Sequence, residues 1–109
     1  MITQKERFEE LCRLDGTSNH DVERKSLFYI IAGNDDLWNK RAAIYDTEDR
    51  SIHLNFDELA DFGSSIRKLI ELGFSLYNGY KANVLNTFSG LDEENFDLAI
   101  AALRIRFNQ

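Results

Sequence analysis

The chain is poor in the residues from which disulfides, metal centres and nucleophilic active sites are built. Its 109 residues include one cysteine, two histidines and no proline. Cys12 has no second cysteine with which to form an internal disulfide, and alone it cannot supply a thiolate-rich metal site. The sequence also has no Gly-x-Ser-x-Gly elbow and no glycine-rich phosphate loop. We therefore expect no catalytic residue, no metal site and no cofactor, and we predict that the protein is not an enzyme.

Long apolar runs are missing as well. No stretch approaches the roughly 20 apolar residues that cross a bilayer as a helix, and the first residues, MITQKERFEELC, lack the basic-then-apolar layout of a signal peptide. We expect a soluble cytoplasmic protein that has no membrane partner. Hydrophobic residues make up 43% of the chain and aromatic residues 12%. That content suffices for one continuous core, so we expect a single domain over residues 1–109.

The charge balance is acidic, with 19 acidic and 13 basic residues and a net charge of −6. Direct binding to DNA or RNA requires clustered lysine and arginine, so this balance argues against a nucleic-acid ligand. Between Asp35 and Phe62 there are eight acidic residues and only three basic ones. An excess of this kind suits a protein partner that has a basic surface, although it also serves solubility alone.

Capping signals and apolar periodicity predict an all-α fold, a compact bundle of about five helices. Thr3 and Glu6 have capping-box spacing and open a first helix that ends near Leu14. The fourth helix contains an apolar band that ends at Asn78-Gly79, and Gly73 within it indicates close packing against another helix. The last helix spans about Asp92 to Phe107, and its spacing predicts one apolar face that contains Phe96, Ile100, Leu103 and Phe107.

The stretch from Ser18 to Asp46 predicts two helices folded around a Gly-Asn-Asp-Asp corner. Ser18 and Asp21 have capping-box spacing for a helix from about His20 to Ala32, although its LFYII run also fits a buried strand. Gly33 stands where a helix end favours a left-handed residue.

The third helix is expected from about Asp35 to Tyr45, with Asn34 or Asp35 as its cap. The segment 50–56 is the least regular part of the chain. Its alternation of apolar and polar residues allows a short strand, and an extended loop across the helices is the other interpretation.

Three groups of residues have the composition of metal or acid–base sites, and each has a simpler interpretation. His20 and Glu23 are two ligands at most, whereas zinc sites usually take three or four. Asp46, Glu48 and Asp49 start like a calcium loop, but Arg50 and Ser51 fall at positions that require a ligand and a glycine. The residues 34–36 are best explained by helix capping.

The most plausible functional feature is therefore a surface for another protein. Acidic residues of the middle segment would form a strip facing a basic partner, with aromatic residues as anchors, although core packing is the favoured alternative for each aromatic ring. The candidate partner-binding residues are Asp46, Glu48, Asp49, Asp57, Glu58, Asp61, Trp38 and Tyr80. The alternative function is a small-ligand or nucleotide-binding protein whose pocket is lined by Tyr77, Asn78 and Tyr80. A homodimer is compatible with either function.

The segments RKSLFYIIAGNDDLWNK (24–40), IYD (44–46) and FSLYNGY (74–80) resemble a family of small uncharacterised acidic proteins. The family occurs in Gram-positive bacteria and their phages or mobile elements, and the resemblance covers roughly residues 5–81. It has no established activity, so no catalytic residue carries over. The resemblance implies an inhibitor of host machinery, for instance an anti-CRISPR-like protein that places carboxylates in the basic nucleic-acid channel of a host defence nuclease.

Overall fold

The computed structural model describes residues 2–53 and 62–109. Within them the chain forms helices joined by short connections and one two-stranded antiparallel sheet, so the expectation of a mostly helical fold is confirmed. The helices are more numerous than the five predicted. In chain order the elements are α1 (Gln4–Asp15), α2 (Val22–Ala32), α3 (Asp35–Asn39), α4 (Arg41–Ile44), β1 (Tyr45–Asp46), β2 (Ser51–Ile52), α5 (Ser64–Asn78), α6 (Val84–Ser89) and α7 (Glu93–Phe107).

The start of α1 is the predicted capping box. The Thr3 hydroxyl accepts a hydrogen bond from the Glu6 amide at 3.1 Å, and the Glu6 carboxylate accepts one from the Thr3 amide at 3.3 Å. At the other end Gly16 adopts the left-handed conformation, with φ 72°. Local sequence chemistry alone is therefore enough to set both ends of this helix.

The start of α2 differs from the prediction. Asp21 is the capping residue, and its carboxylate accepts a hydrogen bond from the Arg24 amide at 3.0 Å. Ser18 accepts one from the His20 amide in the preceding turn instead, so the proposed capping box is wrong. Gly33 at the end of α2 has φ −89°, so the predicted left-handed residue is also wrong. Gly33 serves close packing, because a Cβ atom there would lie 2.3 Å from a terminal methyl carbon of Leu98.

The predicted third helix, from Asp35 to Tyr45, is also wrong in extent. Of the two predicted capping residues, Asn34 and Asp35, it is Asn34 that caps α3. Its side chain accepts a hydrogen bond from the Leu37 amide at 3.1 Å. The helix then breaks at Lys40, which has φ −103° and joins α3 to α4, and Tyr45 begins a strand. Because Tyr45 packs against Phe28 and extends its hydroxyl to Asp15, tertiary contacts replace the helical turn at this point.

The last three helices are partly as predicted. Helix α5 ends at Asn78 with Gly79 in the left-handed conformation, and a Cβ atom on Gly73 would lie 3.0 Å from the Leu27 Cδ1 atom, which confirms close packing. The predicted apolar face of α7 is only partly right. Leu103 packs against the core, but Phe96 and Phe107 are exposed, and the buried residues of the helix are Leu98, Ala99 and Ala102. The two-turn helix α6, capped by Asn83, was not predicted.

Helix α2 lies at the centre of the molecule and packs against α1, α3, α5 and α7. The LFYII run is helical, so the strand interpretation is wrong, and Leu27, Phe28, Ile30 and Ile31 are fully buried. Cys12 packs against the edge of the same core, and burial raises the pKa of its thiol. In the described part of the chain, no helix has the length and apolar character needed to cross a membrane.

Candidate functional site

The most distinctive local structure is an acidic hairpin, which we define as residues 45–52. Strands β1 and β2 pair in antiparallel register, with Tyr45 opposite Ile52 and Asp46 opposite Ser51. The turn between them is held by Asp46, whose Oδ1 atom accepts hydrogen bonds from the Glu48 amide at 2.9 Å and the Asp49 amide at 3.1 Å. An aspartate that binds its own backbone in this way fixes a tight turn without glycine or proline.

The single basic residue of this hairpin is paired with a buried carboxylate, although its own side chain is 44% exposed. Arg50 has φ 56°, a left-handed conformation that is uncommon for a residue with a side chain. Its guanidinium donates two hydrogen bonds to the Asp15 carboxylate, one from Nε to Oδ1 and one from Nη2 to Oδ2, each at 3.2 Å. This bidentate contact fastens the hairpin to the end of α1.

Asp15 is the buried centre of an ion network, and its side chain is fully inaccessible to solvent. Besides the two bonds from Arg50, its carboxylate accepts hydrogen bonds from the Tyr45 hydroxyl at 2.6 Å and from the Thr17 hydroxyl. A buried carboxylate is tolerated when its oxygens are satisfied by donors and by an opposite charge, and Asp15 has both.

Arg24 connects the same network to α2. Its Nε atom donates to the Tyr45 hydroxyl oxygen at 2.9 Å, its Nη1 atom to Asp21 at 2.9 Å, and its Nη2 atom to the Arg50 carbonyl oxygen at 3.2 Å. The guanidinium carbon also lies 5.5 Å from the centre of the Tyr77 ring. One side chain thus ties the hairpin backbone, α2 and α5 together.

The network shifts the pKa values of its members. Burial by itself raises the pKa of Asp15, but the hydrogen bonds from Arg50, Thr17 and Tyr45 outweigh it and hold that pKa below the ordinary value. Burial and the bond to the Asp15 carboxylate raise the pKa of Tyr45 to about 12. At neutral pH the carboxylate is therefore ionised and the phenol is protonated, which is the arrangement that the hydrogen bonds require.

The charges of the network cancel one another. Asp15 and Asp21 are matched by Arg24 and Arg50, so the net charge of −6 belongs to the rest of the chain. Because Arg50 is directed at Asp15, it does not neutralise Glu48 and Asp49, which are exposed at the turn. The outer side of the hairpin is therefore carboxylate in character.

A cleft of about 440 Å³ opens beside the acidic hairpin, and we call it the hairpin cleft. Its lining includes apolar residues, Leu11 and Leu14 of α1 and Ala42 of α4, which we call the apolar wall. It also includes the carboxylates of Asp46 and Glu48, which we call the acidic rim, together with Arg41 and His53. Leu14 is 51% exposed, so part of this apolar surface is open to solvent. The cleft thus combines a hydrophobic surface with carboxylates.

The predicted partner-binding residues fall into three groups. Asp46, Glu48 and Asp49 lie together on the acidic hairpin, whereas Asp57, Glu58 and Asp61 lie outside the described residues. Trp38 belongs to the core, in agreement with the packing alternative. It is 6% exposed, and the guanidinium of Arg41 covers its ring at 3.9 Å from the centroid. Tyr80 is 38% exposed and its ring packs edge-on against Phe74.

The residues of the alternative nucleotide pocket have contacts within the fold. The Tyr77 ring meets the Arg24 guanidinium and the edge of Tyr45, and the Asn78 side chain accepts a hydrogen bond from the Tyr80 amide at 3.0 Å. Both tyrosine rings therefore take part in packing, and Asn78 serves the local turn.

The second acidic region lies where α3 and α7 begin. Asp35, Asp36, Asp92 and Glu94 line a polar cleft of about 300 Å³ there. Asn34 and Asp92 cap the two helices, and Asp35 pairs with Arg7 at 2.8 Å. Capping and dipole compensation explain these carboxylates. Across residues 2–53 and 62–109, no group of three or more histidine, cysteine, aspartate or glutamate side chains has the arrangement needed to hold a metal ion.

The pH dependence of stability provides a test of the buried network. The folded pKa of Tyr45, about 12, lies above its ordinary value of 10.0. The stabilising effect of this phenol is therefore fully present below pH 10 and is lost as the pH rises towards 12. We expect urea denaturation between these pH values to show a steeper loss of stability for the wild type than for Tyr45→Phe, which has no phenolic proton to lose. If the free energy of unfolding fell equally steeply with pH in the two proteins, the phenol of Tyr45 would not stabilise the fold through the buried network.

The fold and the network together define a small, mostly helical protein in which a neutralised ion cluster supports an acidic hairpin. The chain belongs to the family of unknown function DUF6075, whose sequence pattern matches residues 3–109. No curated protein and no solved structure shows a significant match to the chain. The match covers nearly the whole chain, so the network and the hairpin both lie inside the family's domain.

Proposed function

We propose that this protein is a non-catalytic binding module that presents its acidic hairpin to a basic surface of another protein. The observation that carries the proposal is that the hairpin's only arginine is paired within the fold, whereas the carboxylates of its turn are exposed. Arg50 is bonded to the buried Asp15, whereas Glu48 and Asp49 stand exposed on the turn. Opposite charges on the two partners accelerate their encounter and favour the correct orientation.

The rigidity of the hairpin also supports the proposal. The Asp46 carboxylate fixes the turn, and the contacts of Arg50 and Arg24 fix its base. Because the turn is ordered before binding, less conformational entropy is lost when a partner docks. An acidic loop that served only solubility would need none of these contacts.

In its finer form, the proposal identifies the basic surface as a nucleic-acid channel of a host defence nuclease, with the protein as an anti-CRISPR-like inhibitor from a phage or mobile element. Carboxylates would occupy positions that phosphates take in the nucleic-acid complex, and the net charge of −6 favours approach to such a channel. The proposal includes action in the cytoplasm, where the Cys12 thiol stays reduced.

Affinity capture tests the proposal when it uses charge-matched variants. The full chain is tagged and used to capture proteins from a lysate of the bacterium that carries its gene. We compare the wild type, Glu48→Lys/Asp49→Lys, and the control Glu93→Lys/Asp97→Lys, which changes the net charge equally on α7. We expect the hairpin variant to lose about 100-fold in affinity for the captured partner while the control stays close to the wild type.

Salt and nucleic acid refine the same experiment. Capture should weaken steeply as ionic strength rises, since exposed charge pairs are screened. Added DNA or RNA should displace the protein if the basic surface is a nucleic-acid channel. If the hairpin and α7 variants lost affinity for the captured partner equally, net charge alone would explain the binding, and this result would contradict the proposal. If capture depends on the hairpin but added nucleic acid does not displace the protein, the binding-module proposal stands. The finer proposal, that the basic surface is a nucleic-acid channel, is then excluded.

A further inference from the structure

We infer that the hairpin cleft accommodates an arginine side chain of the partner protein. This inference rests on the proposed function and names the group that the acidic surface recognises. It depends on the mixed chemistry of the cleft, whose lining combines apolar side chains and carboxylates around a space of about 440 Å³. Neither a purely hydrophobic nor a purely ionic ligand would match both parts of this lining.

The apolar wall suits the hydrocarbon part of a long basic side chain. Leu11, Leu14 and Ala42 form this wall, and Leu14 is half exposed although it is a large hydrophobic residue. Arginine buries its methylene groups along apolar surface while its charged end stays at a polar rim. Docking such a side chain would cover Leu14 and remove apolar area from water.

The acidic rim suits the guanidinium. Glu48 is exposed at the rim, and Asp46 uses its Oδ1 atom for the two turn amides. A carboxylate has about four acceptor positions, so Asp46 can hold the turn and still receive a donor from outside. Two carboxylates in the lining of one cleft match the planar, multidentate guanidinium better than the compact ammonium of lysine.

Two cationic or ionisable groups of the protein also border the cleft, Arg41 and His53. The Arg41 guanidinium is engaged elsewhere, because its Nη1 atom donates to the Trp38 carbonyl oxygen at 2.8 Å and its carbon lies over the Trp38 ring. These contacts hold the Arg41 guanidinium at Trp38. The carboxylates of the acidic rim are therefore available to the incoming side chain.

The test uses amide chemical shifts of the isotope-labelled full chain during titration with acetyl-Gly-Arg-Gly-amide. We expect shifts at Leu14, Ala42, Thr47 and Glu48 that saturate with a dissociation constant on the order of millimolar. The matched peptide with citrulline in place of arginine has the same shape without the charge. We expect the amide resonances of these four residues to stay in place when it is added. The lysine peptide should bind more weakly than the arginine peptide.

Two conservative variants localise the effect. Glu48→Gln removes one rim charge and Leu14→Ser removes part of the apolar wall, and both residues are exposed, so folding should be preserved. Each variant should weaken peptide binding by about threefold. Equal shifts with the arginine and citrulline peptides, or shifts centred on Asp35 and Asp92, would overturn the inference. If the peptide does not bind but partner capture still depends on the hairpin, the cleft inference fails and the proposed function stands.

Discussion

Replacing Asp15 with alanine is expected to lower the free energy of unfolding by about 3 kcal/mol, because removing one member of a buried ion pair leaves the other members without compensation. Asp15 is the acceptor for both Arg50 bonds and for the hydroxyls of Tyr45 and Thr17. All four donors would lose their partner at once. For a domain of this size the melting temperature should fall by roughly 10 °C.

The matched control for this experiment is Asp97→Ala, which removes an exposed carboxylate from α7. Surface substitutions of this kind usually change stability by less than about 0.5 kcal/mol. Urea denaturation of both variants at neutral pH gives the comparison directly. If Asp15→Ala were as stable as Asp97→Ala, the buried network would not support the fold and the hairpin would need another anchor.

The second large effect is expected at Phe28, at the centre of α2. Its side chain is fully buried, and its ring meets the Tyr45 ring edge-on at 4.9 Å between centroids. Phe28→Ala should destabilise the protein by about 3–5 kcal/mol through lost transfer free energy and the cavity that remains. Because Phe28 also supports Tyr45, we expect the amide shifts of the acidic hairpin to change as well.

Phe107→Ala provides the control of identical chemistry. Phe107 is the last residue of α7 and is 58% exposed, so its truncation should cost less than about 1 kcal/mol. Calorimetry or urea denaturation separates the two values easily. Similar losses at both positions would mean that burial around α2 does not dominate stability, contrary to the packing described above.

Features that depend on neighbouring residues were predictable from the sequence. The capping box at Thr3, the glycine that ends α1 and the Asn78-Gly79 end of α5 follow from short-range backbone chemistry. Helix α2 was also predicted from such signals, but only its existence was right, because Asp21 rather than Ser18 caps it and Gly33 is not left-handed. These motifs act over a few residues, so no knowledge of the fold is needed.

Features that depend on distant contacts were missed. Tyr45 looked like the last residue of a helix, but its bond to Asp15 joins positions 30 residues apart and favours a strand. The sequence pattern singles out neither Asp15 nor Arg24, because Tyr45, which both contact, lies far away along the chain. Helix α6 also escaped prediction, because six residues are too few to establish a helical period and Val84 and Leu85 are exposed.

The candidate surface was predictable in part. The acidic excess identified the hairpin carboxylates Asp46, Glu48 and Asp49, but the pairing of Arg50 with Asp15 depends on a left-handed backbone and on a contact 35 residues away. Trp38 was a candidate anchor that the fold buries. An isolated arginine within an acidic segment is the signal that should have suggested a buried carboxylate partner.

The most direct test of the acidic hairpin as a docking surface is a hydrogen-exchange footprint of the full chain with and without the captured partner. Amides that become protected in the complex mark the surface that the partner covers. We expect new protection in residues 45–53, centred on Glu48 and Asp49. New protection confined to Val84–Ser89, where Val84 and Leu85 are also exposed, with residues 45–53 unchanged, would show that the partner docks elsewhere.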